Sequence, residues 1–175
     1  MCGIAGVFGG APSGGYERVL DSMAHRGPDR HGCHAVPEQG LALFHTLLAI
    51  QDVSEQSTQP MHSADGRCTI VFNGEIYNFP ELRVELEAKG HRFRSHTDTE
   101  VLLALYQESG VEMLRRLNGD FAFALWDGRS GELFVARDGR GVKPFYYHAG
   151  DGVFAFASEI KTLLDGVSSL DQDRI

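Results

Sequence analysis

The chain has 175 residues, of which 16 are Lys or Arg and 24 are Asp or Glu, so its formal charge is −8. This length suits one domain with its own hydrophobic core, and an acidic balance without a basic cluster argues against nucleic acid as a partner. No apolar run approaches the length of about 20 residues that a membrane span needs. We therefore expect a soluble, cytoplasmic protein that does not contact a membrane. Its three cysteines, Cys2, Cys33 and Cys68, are too few and too widely spaced for a disulfide framework.

A cysteine lies directly behind the initiator methionine and opens a strand-like run that ends at Phe8. If Met1 is removed, Cys2 carries a thiol and a free α-amine, whose ordinary pKa values are about 8.5 and about 7.7 to 8.0. The amine can then take the thiol proton, directly or through one water, so that Cys2 is a nucleophile with its own base. The alternative is a small apolar side chain packed in a first strand.

The next segments contain glycines and histidines that invite a ligand interpretation. Residues 9–15 are rich in glycine, but no Gly-Lys-Ser/Thr follows, so we predict a flexible turn and not a phosphate loop. The apolar spacing in Tyr16–Ala24 predicts a short amphipathic helix. Residues 25–34 hold three histidines and Cys33 without the spacing of known zinc motifs. A tight Gly-Pro turn leading into a strand explains this segment better than a metal site.

In the middle of the chain, the sequence predicts strands that have polar residues at their ends. Leu41–Phe44 and Leu47–Ile50 are strand-like, and a polar loop from Gln51 to Pro60 follows. Cys68–Phe72 is a clear strand, which we expect to end at Asn73-Gly74-Glu75. Asn-Gly ordinarily marks a hairpin, but a helical pattern follows it here. An amide side chain and a glycine N–H at a strand end suit a developing oxyanion.

Two helices are predicted next. The first begins at Pro80 and stops at Gly90, and the second follows Thr97–Glu100, which has the form of a capping box. Asp98 would lie in the first turn of the second helix. It would either complement the helix dipole or receive a cation.

The last part of the chain predicts strand pairs and a short helix. Phe121–Trp126 is continuously apolar, as expected for a strand covered on both faces. Further strands are predicted at Leu133–Ala136, Phe145–His148 and Val153–Ala157, and a helix at Ser158–Leu164. Strand runs flanked by helices predict an α+β fold of two mainly antiparallel sheets packed together, with helices outside.

Seven segments, in this order and spacing, resemble the glutaminase domain of the glutamine-hydrolysing asparagine synthetases. This is a class II glutamine amidotransferase, one of the N-terminal-nucleophile hydrolases. The resemblance runs from Met1 to about Leu164 and implies a domain over 1–164, an αββα four-layer sandwich, with 165–175 as the start of a linker. The segments are Met1–Gly6, His25–Asp29, Phe72–Asn78, Ser95–Glu100, Gly119–Phe123, Arg137–Pro144 and Phe156–Lys161.

The resemblance implies a mechanism for these residues. The Cys2 thiolate attacks the carboxamide of L-glutamine, Asn73 and Gly74 hold the oxyanion, and Asp98, with Glu75 helping, binds the α-ammonium. Water hydrolyses the thioester to glutamate, and ammonia passes to a synthetase site. The domain itself needs no metal or cofactor; ATP and Mg belong to the synthetase domain. The substrate pocket also takes in one continuous segment: Leu47, Leu48, Ala49, Ile50 and Gln51.

One position departs from the family pattern. Where this chain has Leu47, the family has an arginine that binds the α-carboxylate of glutamine, and no arginine lies between Leu41 and Pro60. Loss of such a charge-assisted contact predicts glutamine binding that is weaker by roughly 10 to 150-fold. Another cation such as Arg30 or Arg67 reaches the pocket, or the substrate lacks that carboxylate, or the domain is a poor glutaminase.

The family's ATP-binding Ser-Gly-Gly-x-Asp-Ser loop has no match in this sequence. We therefore expect a glutaminase domain that works with a synthetase domain in cis or in trans, with a homodimer as one further assembly. Two other functions stay open. One is a docking domain whose pocket no longer supports catalysis. The other is an N-terminal-nucleophile amidase in which Leu47 lines an apolar pocket for another amide.

Overall fold

The computed structural model describes residues 1–48 and 58–167. Five strands form the first sheet, in the order β2-β3-β1-β9-β8 with antiparallel neighbours. They are β1 (Gly3–Phe8), β2 (Arg30–Val36), β3 (Leu41–Leu47), β8 (Tyr146–Gly150) and β9 (Val153–Ala157). The strand that follows Cys2 is thus the central strand of this sheet.

The second sheet is also antiparallel and has the order β4-β5-β6-β7. Its strands are β4 (Met61–His62), β5 (Cys68–Ile76), β6 (Gly119–Asp127) and β7 (Glu132–Arg137). Strand β4 has only two residues and pairs no further along β5 than Ile70, so no strand of residues 1–48 or 58–167 covers the edge of β5 after Ile70. The candidate site lies at this open edge.

Helices cover the outer faces of both sheets. They are α1 (Gly15–Met23), α2 (Phe79–Ala88), α3 (Asp98–Ser109) and α4 (Ile160–Thr162), which continues as wider turns through Leu163–Val167, and two 3-10 segments lie at Pro37–Gln39 and Gly110–Arg116. Among the described residues, no helix is both long and apolar enough to cross a bilayer.

The alternation of side chains along each strand separates the core into three layers. In β5, Val71 packs between the sheets, whereas Ile70 and Phe72 pack against α2 and α3. In β1, Ile4 faces the other sheet, and Ala5 and Val7 pack on α1 and the segment after α4. The αββα arrangement of helices outside two packed sheets is therefore confirmed.

Most predicted elements are present, with different bounds in places. The two strand-like runs at Leu41–Phe44 and Leu47–Ile50 are one strand as far as Leu47, and residues 49–57 lie outside the described part. The expected end of β5 at Asn73 was wrong. The strand continues to Ile76, because β6 pairs with it along its whole length to Ile76↔Gly119. The short strand β4 and both 3-10 segments were not predicted.

The capping box is half formed. The Thr97 hydroxyl accepts the Glu100 backbone N–H at 3.3 Å, as predicted. The Glu100 carboxylate, however, accepts the backbone N–H groups of Arg94 and Ser95. It therefore organises the preceding loop.

Candidate active site

Cys2 lies at the entry to β1 and faces the gap between the sheets. Ile4, two residues later, packs in the core between the sheets, and a Cβ at Gly3 would meet Thr46 and Met23 on the opposite, helical side. The Cys2 side chain is partly buried, and its Sγ lies 3.9 Å from the carbonyl oxygen of Leu48. Strands β1 and β5 contact each other across the sandwich.

The surroundings of Cys2 favour the neutral thiol. Burial raises the pKa of the thiol, while a backbone hydrogen bond with Leu48, the chain's amino terminus and Arg26 lower it less. A thiol of this kind needs a base before it can attack. Met1, which is 58% exposed, blocks the α-amine of Cys2 as long as it remains attached.

Arg26 holds the backbone of Cys2 in place. Its Nε donates to the Cys2 carbonyl oxygen at 3.0 Å, and its Nη1 donates to Oε1 of Glu159 at 3.2 Å. The same Oε1 lies 2.7 Å from Nε2 of His25. Burial raises the pKa of Glu159, but the hydrogen bonds from His25, Arg26 and Lys161 outweigh it, so that the pKa is lowered overall. Glu159 is thus a carboxylate at neutral pH and fixes the guanidinium.

Asn73 presents a buried donor to the gap between the sheets. It lies two residues after Val71 and therefore faces the same way. Its side chain is 2% exposed, and within residues 1–48 and 58–167 its Nδ2 has no hydrogen-bond acceptor. An unpaired buried amide costs about 1–3 kcal/mol. The Nδ2 group of Asn73 is therefore positioned to donate a hydrogen bond to an acceptor atom of a bound substrate.

The backbone N–H of Gly74 points to the open edge of β5. Phe72 donates its N–H to Oε1 of Gln59 at 2.6 Å, and Ile76 donates its N–H to Oδ2 of Asp98 at 2.9 Å, both away from β6. Gly74 is two residues from each of them, and alternate residues of a strand direct their N–H groups to the same edge. The Gly74 N–H therefore also points away from β6. A glycine is needed here because a Cβ would lie 2.6 Å from the carbonyl oxygen of Asp120.

Asp98 is the first residue of α3 and is tied to β5 through Ile76. It is 5% exposed, and burial raises its pKa to about 6, with a smaller contribution from the nearby charge of Glu75. Glu75 itself is exposed at the end of the strand. The carboxylate of Asp98 is therefore largely desolvated at neutral pH, a state that a bound cation would stabilise.

Leu47 ends β3 with its side chain buried. It lies two residues after His45, whose Nε2 contacts the Phe72 carbonyl oxygen at 3.2 Å, so both side chains face the second sheet. Leu48 contributes its carbonyl oxygen beside Cys2. The other predicted pocket residues, Ala49, Ile50 and Gln51, lie outside the described residues.

Sequence reasoning missed two groups that shape the site. Arg26 and Glu159 were present in the recognised motifs, but their ion pair joins residues far apart in the chain. Gln59 was assigned to a polar loop, although its buried amide bonds Phe72 N–H and, at 3.4 Å, the Thr99 hydroxyl. Only the tertiary fold brings these partners together.

The chain is similar to known proteins over nearly its whole length. The sequence matches the glutamine amidotransferase domain family over residues 1–174. It is 40% identical over 181 residues to asparagine synthetase [glutamine-hydrolyzing] 1 of Bacillus subtilis, covering 99% of this chain and 28% of that protein. It is 44% identical over 179 residues to a putative asparagine synthetase of Mycobacterium bovis, covering 98% and 27%. The chain thus spans about a quarter of the length of these curated relatives.

Solved structures show the same fold. The Bacillus subtilis glutamine phosphoribosylpyrophosphate amidotransferase superposes with a TM-score of 0.76 at 22% identity, over 95% of this chain and 44% of that one. The structure of an allosteric regulatory enzyme of purine biosynthesis gives 0.77 at 23% identity, with the same coverage. At this identity the likeness concerns the fold alone. With its central strand behind Cys2 and a sequence match over residues 1–174, the chain belongs to the glutamine amidotransferase domain family.

Proposed function

We propose that this domain hydrolyses L-glutamine to glutamate and ammonia through a thioester on Cys2. The observation that carries the proposal is the buried Nδ2 of Asn73, which has no acceptor in the described part of the chain and faces the same gap as Cys2, next to the outward N–H of Gly74. Two donors on one strand, opposite a thiol, suit the oxyanion of acyl transfer. Asp98 offers a carboxylate for the substrate ammonium nearby.

The proposed reaction needs Cys2 as the first residue. Its α-amine takes the thiol proton, and the thiolate forms a bond to the carboxamide carbon, whose oxygen becomes the oxyanion. When the tetrahedral intermediate collapses, the C–N bond breaks and the ammonium of Cys2 returns the proton to the leaving ammonia. The amine then takes a proton from water, the hydroxide adds to the thioester, and the thiol leaves with glutamate as product.

We further propose that the ammonia passes to an ATP-dependent synthetase domain in cis or in trans, in the cytoplasm. The relatives' names support an asparagine-synthetase type of partner, and their additional length leaves room for such a domain. In this scheme ATP and Mg²⁺ act only in the partner domain, and the glutaminase chemistry uses side chains and backbone alone.

The test is intact mass after incubation with 6-diazo-5-oxo-L-norleucine, which alkylates a thiolate with loss of N₂. The unlabelled mass must first show that Met1 is absent. We expect one adduct on the wild type, one on Cys33→Ala, which lacks an exposed thiol, and none on Cys2→Ala. No adduct on correctly processed wild type would overturn the proposed function.

A second candidate is an amidase for another amide, which the buried, apolar Leu47 favours. One relative, 37% identical over 148 residues, is named Amidase chry2 of Gibberella zeae. A panel of primary amides assayed with glutamine separates the two functions. Turnover of apolar amides with little turnover of glutamine would replace the first proposal with the second.

A further inference from the structure

Glutamine carries a carboxylate that Leu47 cannot bind, so a cation must come from elsewhere if glutamine is the substrate. The strand register identifies one. In β1 and β3, Gly3 pairs with Thr46 and Ile4 with His45, and one further step of the same register places Cys2 opposite Leu47. In β2 and β3, Arg30 pairs with Leu47.

Cys2, Leu47 and Arg30 therefore form one row across three adjacent strands. Residues opposite each other in antiparallel strands project to the same face, so Arg30 faces the gap between the sheets as Leu47 does. Neighbouring strands lie about 4.8 Å apart, which puts the Cα atoms of Cys2 and Arg30 about 10 Å apart. An arginine stem of three methylene groups can pass over Leu47 toward a substrate attached at Cys2.

Arg30 also lies on the side of the site where Asp98 is found. Its Nη1 donates to the Thr58 hydroxyl at 3.4 Å, and the next residue, Gln59, donates from Nε2 to the hydroxyl of Thr99, the neighbour of Asp98, at 3.4 Å. The Gln59 carbonyl oxygen fills the space where a Cβ at Gly32, two residues after Arg30, would stand. The segment Thr58–Gln59 thus links β2 to the N-terminus of α3. An α-amino acid carries its ammonium and its carboxylate on the same carbon. A site that binds it therefore needs an anion such as Asp98 and a cation such as Arg30 on the same side.

Two other arginines fit this role less well. Arg26 lies beside Glu159, after β9, and its charge is already paired there: Nε donates to the Cys2 carbonyl oxygen and Nη1 to Glu159, while the buried Nη2 has no acceptor among the described residues. Arg67 precedes β5 at the end opposite Asn73, about 20 Å away at about 3.4 Å per residue, and is ion-paired with Asp65.

We propose that Arg30 binds the α-carboxylate of glutamine and replaces, from the neighbouring strand, the arginine that Leu47 lacks. This assignment rests on the proposed glutaminase function. A charge-assisted contact of this kind is made equally in the ground state and the transition state. Its loss therefore raises KM and leaves kcat nearly unchanged.

The test compares Arg30→Ala with wild type on two substrates, L-glutamine and 4-aminobutanamide, which has the same amide and ammonium but no carboxylate. We expect KM for glutamine to rise roughly 10 to 150-fold and KM for 4-aminobutanamide to stay within twofold. Arg30→Met keeps an unbranched apolar side chain and should behave like Arg30→Ala. It provides the same test if the alanine variant does not fold. Arg67→Ala is the matched control and should change neither KM.

The double variant Leu47→Arg with Arg30→Ala should recover glutamine binding, because it returns a cation to the same row. An unchanged glutamine KM in Arg30→Ala and Arg30→Met, with an active wild type, would overturn the role of Arg30 and leave the glutaminase function intact. A processed wild type that neither forms the adduct on Cys2 nor releases ammonia would overturn both.

Discussion

His45 and Asp98 bind the same strand on either side of Gly74. His45 Nε2 contacts the carbonyl oxygen of Phe72 at 3.2 Å, and Asp98 Oδ2 accepts the N–H of Ile76 at 2.9 Å. Both side chains are buried, and burial moves their pKa values in opposite directions: it raises that of Asp98 to about 6 and lowers that of His45 to about 4. Strand β5, which carries the proposed oxyanion donors, is therefore held by two groups whose charged forms burial disfavours.

The activity should depend on pH through Asp98. The proposed base, the α-amine of Cys2, must be neutral, so kcat/KM for glutamine should already fall about tenfold per pH unit below the ordinary amine pKa of about 7.7 to 8.0. Only ionised Asp98 binds an ammonium, so the fall should steepen to about a hundredfold per pH unit below a pKa of about 6. Asp98→Asn should bind glutamine weakly at every pH and lose this second, steeper limb. The measurement is the pH profile of kcat/KM, with the exposed Glu81→Gln as control. A steeper limb below pH 6 that persists in Asp98→Asn would assign it to another group.

The same two groups should affect stability in opposite directions. The folded pKa of Asp98 lies above its ordinary value, so this carboxyl favours the folded state at low pH and loses that contribution as pH rises from about 4 to about 6. The folded pKa of His45 lies below its ordinary value. Its contribution is therefore complete above pH 6.5 and is lost as pH falls toward 4.

Urea unfolding at fixed pH values can separate these contributions. The free energy of unfolding of Asp98→Asn minus that of wild type should rise by about 2 kcal/mol from pH 4 to pH 6. The corresponding difference for His45→Gln, which keeps a donor for the Phe72 carbonyl, should fall by about 3 kcal/mol from pH 4 to pH 6.5. Differences that stay constant over pH would mean that these groups titrate normally in the folded protein.

Removal of the Asn73 amide should separate activity from stability. Loss of one oxyanion donor lowers kcat about 10² to 10³-fold, and we expect this for Asn73→Ala with KM little changed. Because Nδ2 has no acceptor among the described residues, Asn73→Leu, of similar size, should be at least as stable as wild type. The exposed Asn118→Ala serves as control. A large loss of stability in Asn73→Leu with normal kcat in Asn73→Ala would assign Asn73 a structural role.

Glu159 should act on Cys2 through Arg26. In Glu159→Gln the mostly buried guanidinium of Arg26 keeps its charge but loses its carboxylate partner. This loss should lower the free energy of unfolding by about 1–3 kcal/mol. We expect kcat to fall, because the Cys2 carbonyl loses a fixed donor, while KM stays unchanged. Lys161→Ala removes an exposed ion pair with the same carboxylate and should change stability by less than about 1 kcal/mol. Equal effects of the two variants would show that Arg26 does not transmit the change.

Local signals were sufficient for some parts of the site and misleading for others. The strand behind Cys2 and the helix that begins at Asp98 follow from β-favouring residues and from a Thr97 cap, both short-range features. Asn73-Gly74 is locally a turn signal, but β6, some 50 residues later, extends the strand past it to Ile76.

The role of Arg30 and the ion pair of Arg26 with Glu159 depend on longer-range order. The sequence names Arg30 and Arg67 as equal candidates, and only the register of β2 with Leu47 favours Arg30. Glu159 reaches Arg26 from a distant part of the chain. Periodicity predicts which face a residue occupies on its own element. Periodicity does not predict which strand will lie next to that element. The neighbouring strand decides which residues lie in one row with Cys2.

The central position of β1 has a consequence for the motion of Cys2, the proposed nucleophile. The first residues of most domains fray, but here Gly3 pairs with Thr46, the Ile4 N–H bonds the Ser158 hydroxyl at 3.0 Å, and the Cys2 carbonyl is held by Arg26. The Ile4 amide should therefore exchange with solvent deuterium only when the whole domain opens. A residue at sequence position 2 is in this way as firmly anchored as one in the middle of the core.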